Sequence, residues 1–128
     1  MKKLILCLII LCIVGFAREG KESVIWNDRI DRLVDEIILC ESGGQNNIWG
    51  DCDKNIPSPY YCKTSTCAKK YHCKARGCAQ FWRKTFDWFT GLAVRKDLKI
   101  ESEQDQRWLL KWAIINGHGS NWACYKGG

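Results

Sequence analysis

Five cysteines, Cys52, Cys62, Cys67, Cys73 and Cys78, stand between positions 52 and 78 of a 128-residue chain. The same stretch holds Asn55, Pro57, Ser58, Pro59 and several lysines, with little apolar periodicity. An unlinked loop of that length does not stay ordered in a compact domain, so the fold must be stapled there. The staple is either disulfide or metal, and the redox compartment separates the two.

The start of the chain sets that compartment. Met1-Lys2-Lys3 is a short basic opening, and Leu4 to Ala17 is an apolar run without charge. The run is too short to span a bilayer comfortably. It ends with small residues, Gly15 and Ala17, ahead of Arg18-Glu19, which reads as a secretory signal at 1–17 cleaved after Ala17. Leu11 stands before Cys12 where a lipoprotein signal wants a small residue. Residues 18–128 are then one domain, because two would each be too small to bury a good core. The expected location is secreted or periplasmic, at a cell wall, with no membrane span after cleavage.

Loss of Lys2 and Lys3 lowers the formal net charge from +6 to +4. A mildly basic secreted protein suits an anionic partner such as a cell wall, and no polybasic run points to nucleic acid. Hydrophobic residues at 46% and charged residues at 27% exclude intrinsic disorder. Cys7 and Cys12 leave with the signal, so seven cysteines remain: the five above, Cys40 and Cys124. They read first as disulfides, with one thiol left free or bonded to another chain, and the connectivity within the loop stays open. The zinc alternative uses Cys62, Cys67, Cys73 and Cys78 with His72 beside them, but zinc hooks are usually tighter. No metal and no cofactor are expected, and the chain is expected to be a monomer.

Three helices frame the loop. The first spans 28–41: Asn27 is its candidate cap, Asp28 and Asp31 suit its N-terminal end, and Ile30, Leu33, Val34, Ile37 and Ile38 recur with helical spacing. Ser42-Gly43-Gly44 stops it. Glu41 lies eleven residues after Ile30, only about 20° from it around the axis at about 100° per residue. A carboxyl group on the apolar face, at the negative end of the helix dipole, is favoured in its proton-bearing form, the form that donates to a leaving group.

The second helix lies within 85–90, with Thr85 as cap and Gly91 as stop. Of the surrounding rings, Phe81, Trp82, Phe86, Trp88 and Phe89, most read as core. The third begins at a capping box, Ser102-Glu103-Gln104-Asp105, with Asp in place of Glu. Trp108, Leu109, Trp112 and Ala113 form its buried stripe, Ile114 and Ile115 extend it, and Asn116-Gly117 ends it. The expected fold is a small, mainly α domain with a disulfide-stapled cysteine-rich insert at 52–78.

The same positions carry a resemblance. Cys40-Glu41-Ser42-Gly43-Gly44 resembles the Glu-Ser-Gly motif of the lysozyme-like lytic transglycosylases, in the form seen in resuscitation-promoting-factor-type domains. Gly77-Cys78-Ala79-Gln80-Phe81 with Thr85-Phe86 is similar to that family's Gly-x-x-Gln-Phe and Thr-Trp segment. Asp105-Gln106, Trp112-Ala113-Ile114, Asn116-Gly117 and Trp122-Ala123-Cys124 resemble its closing helix and final Trp-x-x-Cys. Cys78 and Ala79 replace the family's bulky aliphatic residues, Ile115 replaces its tyrosine, and the 52–78 insert is far richer in cysteine.

The resemblance implies an α+β lysozyme-like fold with a cleft for peptidoglycan glycan strands. It implies that Glu41 is the single catalytic acid, cleaving the β-1,4 bond between N-acetylmuramic acid and N-acetylglucosamine. Ser42 would orient Glu41, Gln80 would line the cleft, and Asn116 would hold substrate. It also implies a Cys40–Cys124 disulfide. In the transglycosylase route the sugar's own 6-hydroxyl attacks and leaves a 1,6-anhydro end, so one Glu suffices, whereas ordinary glycosidases use two carboxylates. For hydrolysis, Asp51 and Asp53 are the nearest second acids, and both read as solvated loop charges. Trp49, Tyr60, Tyr61 and Trp122 are candidate sugar platforms, though such rings more often pack. Two rival classes are a non-enzymatic glycan-binding module, and a cell-wall peptidase with Cys78 as nucleophile and His118 as base.

Overall fold

The computed structural model describes residues 27–53 and 61–127. The expected signal at 1–17 and its cleavage site, and Pro57, Pro59 and Tyr60, lie outside the described residues. The chain divides between Arg32 and Leu33 into two compact units. Of the first, residues 27–32 are described and helical; the fold below belongs to the second.

Helix α1 covers 27–42, so Asn27 is already helical and is not the cap that its side chain suggested. Val34, Ile37 and Ile38 are buried as their spacing requires. The helix ends in an αL cap at Gly43. Gly43 N–H donates to Leu39 O at 2.9 Å, and Gly44 N–H to Ile38 O at 3.4 Å, with φ of 65° and 81°. Both φ values favour glycine, which explains why the chain turns there and nowhere earlier.

Three two-residue strands follow: β1 (Trp49–Gly50), β2 (Ala75–Arg76) and β3 (Phe81–Trp82). They form an antiparallel sheet in the order β1-β2-β3. Trp49, Arg76 and Phe81 share one row, and Gly50, Ala75 and Trp82 the next. Alternation along each strand points these two rows to opposite faces. On its outer side β1 exchanges two backbone hydrogen bonds with Cys62, both 2.8 Å.

The cysteine-rich insert contains a short helix, α2 (Ser65–Lys70), that the sequence reading did not anticipate. Thr64 caps it by accepting from Cys67 N–H. Two disulfides brace it, Cys52–Cys73 and Cys62–Cys67, and a third joins Cys40 to Cys124 across a separation of 84 residues. The sulfurs of Cys52, Cys62 and Cys73 lie within 4.8 Å of one another. Cys78 is not in this group; it is free and fully buried. The alternative zinc set of Cys62, Cys67, Cys73 and Cys78 is not assembled, because Cys78 closes the turn ahead of β3 on another part of the domain.

Helix α3 (Arg83–Leu92) springs directly from β3, earlier than expected. Thr85 is inside it rather than capping it, and Gly91 does not stop it. Helix α4 (Glu103–Ile115) follows the expected capping box in part. Ser102 Oγ accepts from Asp105 N–H at 3.2 Å, while the Asp105 carboxylate turns to Lys99 N–H at 2.8 Å instead of closing the box. Ile115 and Trp108 are exposed rather than buried. A 3-10 turn, Gly119–Asn121, leads to the C-terminal segment. Helices make up about half of the described residues, and none is long and apolar enough to cross a membrane.

The core is Ile37, Ile38, Phe81, Phe86, Phe89, Leu109, Leu110 and Ala113. Phe81 meets Phe86 and Trp122 edge-on at 5.4 and 5.1 Å. Each fully buried ring contributes about 2 kcal/mol of transfer free energy. One polar residue sits inside this core. Gln106 is fully buried, accepts from Ala79 N–H at 2.9 Å, and donates to Arg76 O at 3.0 Å and Ile100 O at 2.6 Å. Gly77, at φ 81°, lies against this amide so closely that a Cβ would overlap it.

Candidate functional site

A cavity of about 470 Å³ opens where the C-terminal end of α1, the sheet, the start of α3 and the C-terminal segment converge. Glu41, Asp51, Tyr61, Gln80, Trp82 and Trp122 are among the residues that line it. Glu41 comes from the last turn of α1 and is half-buried. Its Oε1 accepts from Cys124 N–H at 3.3 Å. Its carbonyl accepts from Tyr61 Oη–H at 3.1 Å. The helix end is thus held from two sides, by the disulfide-linked C-terminal segment and by the insert.

The floor is built by close approach at Gly50. A Cβ there would overlap Gln80 Oε1 and lie 2.9 Å from the Tyr61 ring. The lack of a side chain lets both groups reach the cavity. Gln80 has φ 50° and donates from Nε2 to Gly77 O at 2.7 Å, so its amide is fixed by its own turn.

Two aromatic rings are open to solvent here. Tyr61 is 41% exposed and Trp82 44% exposed. Tyr61 is placed by its neighbour Cys62, which pairs with Trp49 and is bonded to Cys67. Trp82 was grouped with the core rings in the sequence reading. Its neighbour Phe81 is buried, and a two-residue strand sends the pair to opposite faces. That period-two alternation was the available clue.

Not every expected site residue meets at this cavity. Glu41, Gln80 and Trp122 do. Trp122 is 6% exposed, contacts Phe81 and Phe89 through its ring, and donates from Nε1 to Ala79 O at 2.8 Å, so it walls the cavity rather than offering a face. Ser42 is buried and donates to Ile38 O at 3.0 Å, one helical turn back, so its hydroxyl is spent within α1. Asn116 is exposed, donates to Trp112 O at 2.8 Å as part of the α4 terminus, and is not among the lining residues. Trp49 points to the other face of the sheet, with the Arg76 guanidinium 5.1 Å from its ring. Asp53 also lies outside the lining, whereas Asp51 is in it.

The Cys78–His118 pair of the peptidase reading is not formed. Cys78 Sγ faces Gln106 Oε1 at 3.8 Å, and His118 sits among Trp88, Phe89 and Trp112. Burial, with the Glu103 carboxylate adding to it, pushes the Cys78 thiol up to about 11. A thiol that holds its proton at neutral pH is a poor nucleophile.

The arrangement is one half-buried acid, one fixed amide and two exposed rings around a cavity of small-ligand size. Comparison with protein families, with curated proteins and with solved structures gives no match for this chain.

Proposed function

We propose that this protein cleaves the glycan strands of peptidoglycan at the β-1,4 bond between N-acetylmuramic acid and N-acetylglucosamine. Glu41 is the acid. The observation that carries the reading is the convergence on one cavity of Glu41 with Gln80, Tyr61 and Trp82. Sugar rings present apolar faces that stack on exposed aromatics, and hydroxyl and acetamido edges that an amide such as Gln80 can bind. A proton donor set between such groups acts on the bond joining two stacked sugars. The chain's motifs supply the remaining support, since they resemble those of lysozyme-like lytic transglycosylases.

The route is intramolecular. Glu41 gives its proton to the glycosidic oxygen as the C1–O4 bond breaks. The muramyl 6-hydroxyl closes on C1, and its proton returns to Glu41. The product carries a 1,6-anhydro end, and one carboxylate completes the cycle. The proposed place of action is a cell wall, and three disulfides in a small domain are consistent with an extracellular location.

The test is mass spectrometry of purified peptidoglycan digested with the protein and, in parallel, with Glu41→Gln. Anhydro-muramyl products from the wild type, absent with the variant, are expected. Retained cleavage in Glu41→Gln overturns the assignment of Glu41. Binding of glycan strands without cleavage by either protein would favour the glycan-binding module instead.

A further inference from the structure

The cavity holds a second carboxylate that the single-acid route leaves unused. Resting on the reading of Glu41 as the acid, we propose that Asp51 is a second catalytic residue, the base that activates a water molecule. It gives the cavity a hydrolytic branch beside the intramolecular one.

Asp51 follows Gly50 at the end of β1 and lines the same cavity as Glu41, which comes from α1. Its backbone is fixed on both sides. Its carbonyl accepts from Lys74 N–H at 3.3 Å, and the next residue, Cys52, is bonded to Cys73. Its side chain is exposed, and among the described residues no ion pair or hydrogen bond engages it. No lysine or arginine lines the cavity to neutralise it. A carboxylate carried on a rigid strand end, open to water and unpaired, is what a general base needs.

The backbone adds a second line of argument. Among the described residues only Asp51, His72, Gln80 and Val94 have positive φ without being glycine. Two of the four, Asp51 and Gln80, line this cavity. Such conformations cost on the order of 1 kcal/mol and gather where a side chain must be aimed. Asp53, two residues on, has neither the conformation nor the place in the lining.

The proton ledger of the two branches differs. In both, Glu41 protonates the departing O4 and the C1–O4 bond breaks. In the hydrolytic branch the new bond is from C1 to a water oxygen, and the water's proton passes to Asp51. Solvent then removes it from Asp51 and reprotonates Glu41. The muramyl product has a free reducing end.

The experiment separates these products by mass in water enriched in oxygen-18. The wild type is expected to give both anhydro ends and labelled reducing ends. Asp51→Asn should lower the ratio of reducing ends to anhydro ends about a hundredfold, the usual scale for a lost base. Asparagine occupies the left-handed region as readily as aspartate, so the fold is retained. In Asp51→Gly, which also accepts this backbone, added azide needs no base and should give a glycosyl azide product in place of the lost reducing ends.

A wild type that makes anhydro ends alone overturns the proposal. So does Asp51→Asn with an unchanged reducing-end yield, or with both products lost together. Reducing ends alone, abolished by Asp51→Asn, uphold Asp51 and overturn the intramolecular route. Glu41→Gln is read separately: cleavage that survives it overturns the reading of Glu41 and, with it, this one.

Discussion

The backbone N–H of Cys124 donates to Oε1 of Glu41 at 3.3 Å, and Cys124 is bonded to Cys40, the residue before Glu41. One covalent link therefore sets the distance between the acid and the donor that orients it. The C-terminal segment is a part of the site, although it lies 84 residues away along the chain.

Replacing Cys40 and Cys124 together by serine should separate the two. A closed loop of this length is worth about 4.5 kcal/mol in the chain-entropy account. Denaturant unfolding under non-reducing conditions should show a loss of that order. Turnover of the folded fraction should drop more than substrate affinity, because Glu41 loses its orienting donor. Unchanged turnover would separate the disulfide from the site.

Tyr61 and Trp82 are expected to act on binding. Each exposed ring that stacks on a sugar contributes about 1 kcal/mol, so Tyr61→Ala and Trp82→Ala should each weaken glycan-strand affinity five- to tenfold, an approximate range. Glu41→Gln serves as the uncleaving background, and affinity can be followed by calorimetry. Thermal midpoints should move little for Trp82→Ala, whose ring is 44% exposed and outside the core. Equal affinity in both variants would remove them from the binding surface.

Cys78 should be silent in chemistry and visible in stability. The folded thiol ionises near 11 against an ordinary value near 9. Between these values the unfolded chain binds fewer protons than the folded one, so stability falls as pH rises from about 9 to about 11. Cys78→Ala removes that slope. Folded protein of residues 18–128 should resist thiol-specific reagents at pH 8 and titrate one thiol, that of Cys78, after unfolding without reductant. Glycan cleavage should survive Cys78→Ala.

The helices that bury a stripe were legible in the sequence, and the short elements were not. Val34, Ile37 and Ile38 declare α1 by spacing, and Ser102 announces α4. Helix α2 has six residues, Ser-Thr-Cys-Ala-Lys-Lys, and only Ala68 is buried. Thr64 and the Cys62–Cys67 link hold it, and neither leaves a periodic trace. Each strand has two residues, too few for alternation to stand out, so Trp82 merged with its aromatic neighbours. Thr85 looked like a cap because β3 and α3 join without a loop. The place of Glu41 at the end of α1 was legible because it follows from counting. Asp51 reads as a solvated charge and is exposed, but its place in the cavity lining leaves no local pattern in the sequence.

Gln106 has a dynamic consequence. Its one amide holds Ala79 N–H, Arg76 O and Ile100 O, and the Ala79 carbonyl in turn holds Trp122. Sheet, α4 and C-terminal segment thus meet around a single residue, Ala79, next in sequence to Gln80. None of the three can open alone without stranding a buried polar group. Amide hydrogens along these segments should therefore exchange with solvent at a common rate, set by one cooperative opening, while those of the exposed ends of α2 exchange earlier. The wall of the cavity then shares the lifetime of the core behind it.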